Sequence, residues 1–177
     1  MFDKTENAEP INFLCYCPHC GSDTFKAKSF KEFKCEACGF NFFTNSAAAV
    51  VAIVRDAEGR ILLTRRGRNP FKGWLDLPGG FVDPGEAAET ALRRELKEEL
   101  DVEAIEFKYL CSFPNEYIYS GYKVRTTDLA FICQIDHAPT QCADDVASFV
   151  WENPKDIDLN EVPFDSIRNI LSKVINS

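Results

Sequence analysis

The chain has 177 residues, and 28 acidic side chains against 20 basic ones give it a formal net charge of −8. That length suits one ordinary domain with a small appendage, and no apolar run is long enough to cross a bilayer. The acidic balance argues against a general nucleic-acid surface, which needs lysine and arginine in excess, but not against a small anionic substrate.

Residues 1–11 are polar and expected to fray. MFDKTENAEP carries no basic-then-apolar secretory pattern, so the expected location is cytoplasmic. Then come Cys17-Pro18-His19-Cys20-Gly21 and, fourteen residues on, Cys35-Glu36-Ala37-Cys38-Gly39. Two such knuckles around a hairpin-sized segment have the spacing of a four-cysteine structural zinc site. Phe25, Phe30 and Phe33 lie between them and can cover a small sheet. The segment 12–44 resembles a zinc ribbon, with Cys17, Cys20, Cys35 and Cys38 as the Zn²⁺ ligands. A disulfide framework is the alternative, and an intracellular setting disfavours it. Cys15 and His19 read as a spare thiol and an exposed imidazole, because four cysteines already close a tetrahedron.

Asn45-Ser46 marks a boundary. Ala47 to Asp56 is apolar and β-branched, Ala57-Glu58-Gly59 supplies a turn, and Arg60 to Arg66 reads as a second strand. Arg65, Arg66, Arg68 and Lys72 form a basic run, usually a solvated face. Its nearness to the glycine loop that follows makes Arg65 and Arg66 candidate phosphate contacts, arginine being suited to bidentate binding. Trp74 to Leu77 is a short strand entering Leu77-Pro78-Gly79-Gly80, a turn whose glycines let backbone approach a ligand.

Asp83-Pro84-Gly85-Glu86 predicts a capped helix start, with the helix running from Glu86 to Leu100. Ala88, Leu92, Leu96 and Leu100 recur every four residues and make one apolar stripe. At about 100° per residue, Glu99 falls inside that stripe, Glu95 on its edge and Glu98 just beyond. Ionised carboxylates along a buried margin need compensation, either from arginines or from a hard cation such as Mg²⁺ or Mn²⁺. A solvated helix laced with ion pairs is the plainer reading.

After the helix, Glu103 to Phe113 alternates, with Ile105, Phe107 and Tyr109 on one face. Tyr122 to Ile135 and Ser148 to Trp151 are further strands. Phe164, Ile167, Ile170, Leu171 and Val174 predict a C-terminal core-packing helix. Cys111 and Cys133 read as buried thiols.

Gly80, five residues, Glu86, seven residues, then Arg94-Glu95-Leu96-Lys97-Glu98-Glu99 resembles the Nudix box, the signature of the Nudix hydrolase family. Asp101 stands where the family normally has glycine, a left-handed position that Asp tolerates better than most residues. The resemblance implies an α/β fold, an α/β/α sandwich with a mixed sheet over 46–177. It implies metal-dependent hydrolysis of a nucleoside diphosphate linked to another moiety. Glu95, Glu98, Glu99 and a carbonyl from the Gly79-Gly80 loop would hold Mg²⁺ or Mn²⁺, with Glu95 open between ligand and general base. Arg94 would orient a carboxylate and Glu86 secure the loop. In some members the base comes from a later loop, which points to Asp144 and Asp145.

A zinc ribbon ahead of a Nudix domain resembles NADH pyrophosphatases, which also act on NAD-capped RNA. The stretch Cys111 to Tyr119 lacks their distinctive motif, so NADH-like dinucleotides and ADP-ribose both stay open. Tyr117 and Tyr119 lie roughly where dinucleoside polyphosphate hydrolases place a tyrosine, and could stack on a base. The expected partner is a small-molecule nucleotide, with no membrane and no nucleic acid beyond a capped RNA end. Oligomeric state is open, a homodimer included. The alternative is a non-catalytic nucleotide sensor or adaptor whose ribbon binds a partner.

Overall fold

The run Ala47–Val54 is apolar at every position, so as a strand it must be covered on both faces. The computed structural model, which describes residues 8–176, puts it inside a mixed sheet. In chain order the strands are β1 Phe25–Ala27, β2 Glu32–Cys35, β3 Asn41–Phe43, β4 Ala47–Val54, β5 Ile61–Arg66, β6 Leu75–Asp76 and β7 Gly79–Phe81. Helix α1 spans Ala88–Leu100, followed by β8 Ala104–Tyr119, β9 Tyr122–Ile135, β10 Val146–Glu152 and helix α2 Asp165–Ile175. Residues 8–46 with Glu116–Arg125 form one compact unit, and Ala47–Asn115 with 126–176 form the other.

The larger unit is an α/β structure. Its four-stranded sheet runs β7-β4-β9-β8, and a three-stranded sheet runs β10-β5-β6. Strand β4 is parallel to β9 from Ala47↔Thr126 to Val54↔Cys133 and antiparallel to β7. Strand side chains alternate between faces. Val50, Ala52 and Val54 therefore meet Ala91, Leu92, Leu96 and Leu100 of α1, with Phe131 and Cys133 of β9 in the same cluster. On the other face Asp128 of β9 accepts hydrogen bonds from Thr126 Oγ1 at 2.5 Å and from Ser166 Oγ at the start of α2. The two helices thus cover opposite faces of the sheet. Among the described residues, no helix is long and apolar enough to cross a membrane.

In the smaller unit β1, β2 and β3 form an antiparallel sheet. Cys17, Phe25, Phe33 and Cys35 make its core, with Phe40 and Phe42 packed against them. The β8–β9 hairpin closes on Ser120 (φ 51°) and Gly121 (φ 80°), the two left-handed residues a tight hairpin turn requires.

Several expectations need correction. Helix α1 starts at Ala88 behind Ala87, and no side chain caps it. The residues before it close a separate turn in which Glu86 N–H donates to Asp83 O, and Glu86 Oε2 accepts from Asp83 N–H. Ala47–Val54 and Ile61–Arg66 are strands as expected, and they lie in different sheets joined by a bridge at Arg55↔Ile61. Gly79–Phe81, read as loop, pairs with β4 as a strand, because glycine leaves room for the neighbouring backbone. Ile105, Phe107 and Tyr109 do share one face, Phe107 and Tyr109 both meeting Phe131 edge-on, although Ile105 stays 58 % exposed. Phe30 is 78 % exposed and adds nothing to the ribbon core, and Cys111 is only half-buried. Of the segment expected to fray, residues 1–7 lie outside the described residues. Ala8 is buried, and Glu9 pairs with Lys123 (2.5 Å) and Arg125 (2.7 Å). Asp101 does take the left-handed conformation (φ 54°, ψ 37°) at the end of α1.

Gly79 has φ +143°, and an added Cβ would stand 2.0 Å from Val50 O. Gly79→Ala should cost about 2 kcal/mol or more, read as a lower urea midpoint. An unchanged midpoint would contradict the β4–β7 packing described.

Candidate active site

Helix periodicity alone carries Glu99 into the apolar stripe between Leu96 and Leu100, and there it is 4 % exposed. Its Oε2 accepts a hydrogen bond from Gly79 N–H at 2.9 Å. Burial raises its pKa well above the ordinary carboxylate value. The Gly79 N–H offsets part of that, while the negative charges of Glu95, Asp145 and Asp76 add to it.

One turn earlier on the helix, Glu95 lies against Gly80, where an added Cβ would come 2.5 Å from its carboxyl carbon. Burial raises its pKa as well, opposed by Arg94 and reinforced by Glu98 and Asp145. Arg94 gathers the carboxylates of this edge. It donates to both oxygens of Glu86 (3.1 and 2.9 Å), to Glu95 Oε1 at 2.7 Å, to Glu98 Oε2 at 3.1 Å and to Phe81 O at 2.9 Å. The guanidinium holds Glu86 below the usual carboxylate range, and the carboxylates in turn raise Arg94. Glu98 is the most open of the three, its side chain 48 % exposed.

A cavity of about 30 Å³ adjoins Glu99, lined in part by Gly79, Thr64, Arg66, Asp76 and Asp145. Asp76 was not singled out from the sequence. Burial pushes it up to about 6 against the pull of Arg66, whose Nη1 lies 2.9 Å from Asp76 Oδ2. Its only signal in the sequence was an acid in a two-residue strand before the glycines. Of the two late-loop acids, Asp145 reaches this cavity. Asp144 is left-handed (φ 52°) and pairs with Arg68 at 2.9 Å.

The other candidates are dispersed. Arg66 lines the Glu99 cavity, but its guanidinium is tied to Asp76, donates to Pro70 O and lies over the Phe164 ring. Arg65 donates to Gly73 O and Glu161 and borders a different cavity. Tyr117 and Tyr119 lie within Glu116–Arg125, which groups with the smaller unit. In that unit Cys17, Cys20, Cys35 and Cys38 bring their sulfurs within 4.8 Å of one another. The Cys17–Cys38 and Cys20–Cys35 separations are both 3.7 Å. A disulfide would need about 2.05 Å, whereas zinc–sulfur bonds of about 2.3 Å in a tetrahedron set sulfurs about 3.8 Å apart. The cluster is compatible with a zinc site. Against the burial that would raise it, N–H groups of Cys38 and Ala37 bring the Cys35 thiol down to about 6, while burial and the neighbouring sulfurs push Cys38 up to about 12. Cys15 is exposed, and His19 stacks on Phe40 with ring centres 5.7 Å apart.

The glutamates suit a hard cation by donor type and by electrostatics. Each of Glu95, Glu98 and Glu99 has one oxygen hydrogen-bonded within the described residues and one without such a partner. They are not drawn together as tightly as the cysteines, the only described set whose ligand atoms all fall within 4.8 Å. Arg94 holds Glu95 and Glu98, while the Gly79 N–H holds Glu99.

Comparison with known proteins fits this geometry. The model of the NUDIX domain matches residues 45–171. An ADP-ribose pyrophosphatase of Methanocaldococcus jannaschii is 47 % identical over 60 residues, covering 34 % of this chain and 35 % of that one. The NAD-capped RNA hydrolase NudC of Chromobacterium violaceum is 29 % identical over 125 residues, covering 68 % and 43 %. The chain therefore spans less than half the length of these curated relatives. A crystal structure of a NUDIX hydrolase from Nitrosomonas europaea superposes with a TM-score of 0.64 at 19 % identity, covering 91 % of this chain and 90 % of that one. At that identity the likeness speaks to the fold alone.

Glu99 binds its proton more tightly when folded than when unfolded. As pH rises past the ordinary value of 4.5, the unfolded state carries fewer protons than the native one, and stability falls. Without divalent cations, Glu99→Gln should therefore be more stable than the parent at about pH 8, with the gap closing near the ordinary glutamate value of about 4.3. Urea midpoints across that range check this, and a variant weaker at the upper end would contradict the burial argument.

Proposed function

The chain belongs to the NUDIX family, and from that premise we propose that it hydrolyses the phosphoanhydride of a nucleoside diphosphate joined to another group. ADP-ribose or a NAD-like dinucleotide is the leading substrate. The observation that carries this reading is Glu99, a carboxylate buried in an apolar stripe with one backbone N–H as its hydrogen-bond partner. The names of the relatives, an ADP-ribose pyrophosphatase and a NAD-capped RNA hydrolase, support the substrate class.

In this reading Glu95, Glu98, Glu99 and the Gly79 carbonyl hold Mg²⁺ or Mn²⁺. A cation bound there supplies charge neutralisation at the pyrophosphate and a more acidic water. The protein's own groups do the rest. Arg94 fixes the directions of Glu95 and Glu98 through one oxygen of each. Glu86, clamped by both of its oxygens, keeps Arg94 in place and secures the turn before α1. Gly79 leaves room for the β4 backbone at Val50 and Gly80 for the Glu95 carboxyl, so the two glycines let the acidic face of α1 lie close against β7. Asp145, facing Glu99 across the small cavity, is the proposed acceptor of the water proton, with Glu95 as the other candidate. Arg66 is the proposed phosphate contact. Arg66 borders the same cavity as Glu99, which supports it over Arg65.

Residues 12–44 form, in this proposal, a ribbon closed by a structural Zn²⁺, and 46–177 the hydrolase domain. Four cysteine ligands leave no open position for water, so the zinc takes no part in hydrolysis. The partner is a small nucleotide or the capped end of an RNA.

A panel of NADH, ADP-ribose, coenzyme A, dinucleoside polyphosphates and nucleotide sugars, with Mg²⁺ or Mn²⁺ and products resolved by mass, tests the activity. Turnover of at least one compound is expected, with kcat lowered about 100-fold or more in Glu98→Gln and in Glu99→Gln. No turnover of any compound would sink the reading. Zinc content gives a separate check. The purified chain should carry one zinc per molecule, lost in Cys35→Ser together with the folded ribbon. A metal-free ribbon that stays folded would contradict the structural role.

A further inference from the structure

A second cavity, of about 260 Å³, opens beside Arg65, Gly73, Trp74, Asn160 and Glu161. It is below the roughly 300 Å³ at which pockets for drug-sized ligands begin, so it suits a single ring system. It is separate from the carboxylate site. Thr64 and Arg66 line the Glu99 cavity, and Arg65 between them on β5 lines this one. Side chains alternate along a strand, so the two cavities lie on opposite faces of the β10-β5-β6 sheet.

The chemistry of the lining is specific. Trp74 is 42 % exposed, so part of its indole is open to a ligand at the cavity. It is propped from behind. Phe71 meets it edge-on at 5.9 Å, and Phe71 in turn meets Phe164 edge-on at 5.4 Å. The single cation of the lining is already neutralised, because Arg65 donates to Gly73 O at 3.0 Å and to Glu161 Oε2 at 3.1 Å. A phosphate would find no free positive charge there. What the lining offers instead is acceptors. Asn160 spends its backbone N–H and its side-chain Nδ2 on Asp158 Oδ1, at 2.9 and 2.8 Å, which leaves its side-chain carbonyl. Glu161 keeps its second oxygen. An indole beside two oxygen acceptors, with no net positive charge, matches a flat heteroaromatic ring bearing N–H donors.

We propose that this cavity is a second binding site for a nucleobase, recognised by stacking on Trp74 and by donation from its amino group to Asn160 and Glu161. Because it lies across the sheet from Glu99, the ring held here is not the one whose phosphoanhydride is cut. It is the base of an effector nucleotide or of a nucleotide distant from the cleaved bond. The inference goes beyond the hydrolase reading, since the site would bind a ring whether or not the glutamates turn anything over.

The test is a binding measurement with no turnover in it. In the full chain carrying Trp151→Phe, Trp74 is the only tryptophan left, and its emission is followed against adenosine and, separately, ribose 5-phosphate. Saturable quenching by adenosine and none by ribose 5-phosphate is expected. Equilibrium dialysis of labelled adenosine should show binding weakened about ten-fold or more in Trp74→Ala. Purine riboside, which lacks the amino group, should bind the parent about five-fold more weakly than adenosine. The inference falls if adenosine does not saturate, if ribose 5-phosphate quenches equally, or if purine riboside binds as well as adenosine. It also falls if Glu99→Gln removes adenosine binding, which would put the ring in the carboxylate site. Emission that follows protein concentration and ignores adenosine would mean that a second copy covers Trp74, and would overturn it too. Failure here leaves the nucleotide panel untouched, and failure of that panel leaves this measurement intact.

Discussion

The hydrogen bond from Gly79 N–H to Glu99 at 2.9 Å joins the sheet to the helix at the point where charge is buried. Glu99 occupies a place that packing would give to leucine. One backbone donor compensates it in part, and a buried carboxylate that keeps its charge needs more than one donor. Both neighbours of this bond are constrained by it. Gly79 is pressed against Val50 O so closely that no Cβ fits, and Gly80 faces the Glu95 carboxyl in the same way. The glycine turn and the acidic helix face therefore constrain one another.

Arg94 solves the complementary problem at the open edge of the helix. Three carboxylates there repel one another, and a single guanidinium with five donors is the side chain able to bridge them. By taking one oxygen from Glu95 and one from Glu98, it sets their directions without using up their capacity to accept. Its firmest hold is on Glu86, through two bonds, which anchors it to the turn before α1. Lysine, a point charge, could not make this fork. The arrangement also explains why the glutamates stand further apart than the cysteines. The four thiols form one closed set, while these acids are held separately, Glu95 and Glu98 by Arg94 and Glu99 by the Gly79 N–H.

The sequence was most legible where spacing has a rigid meaning. The every-four stripe of α1 and the two CxxC knuckles each allow few geometries, and the left-handed end at Asp101 was readable from the glycine that the Nudix box has at that position. What stayed hidden depended on long-range pairing. Ala47–Val54 and Ile61–Arg66 read as strands without naming their partners, and β4 takes β9 as its parallel partner some eighty residues away in sequence while β5 takes β10. Gly79–Phe81 carries no strand propensity and becomes a strand only because β4 needs an edge partner with no side chain in the way. Asp83 is a good cap by type, but the turn closed with Glu86 uses that segment before the helix begins. Asp76 was invisible for a related reason. Its environment is assembled from β5, β6 and the loop carrying Asp145, three segments whose meeting no local pattern announces.

Manganese binding to the full, zinc-loaded chain, followed by electron paramagnetic resonance, bears most directly on whether these acids exist to hold a cation. The account predicts saturable uptake that is lost in Glu99→Gln while the zinc content stays the same. Uptake that is absent in the parent, or that persists undiminished in the variant, would contradict it.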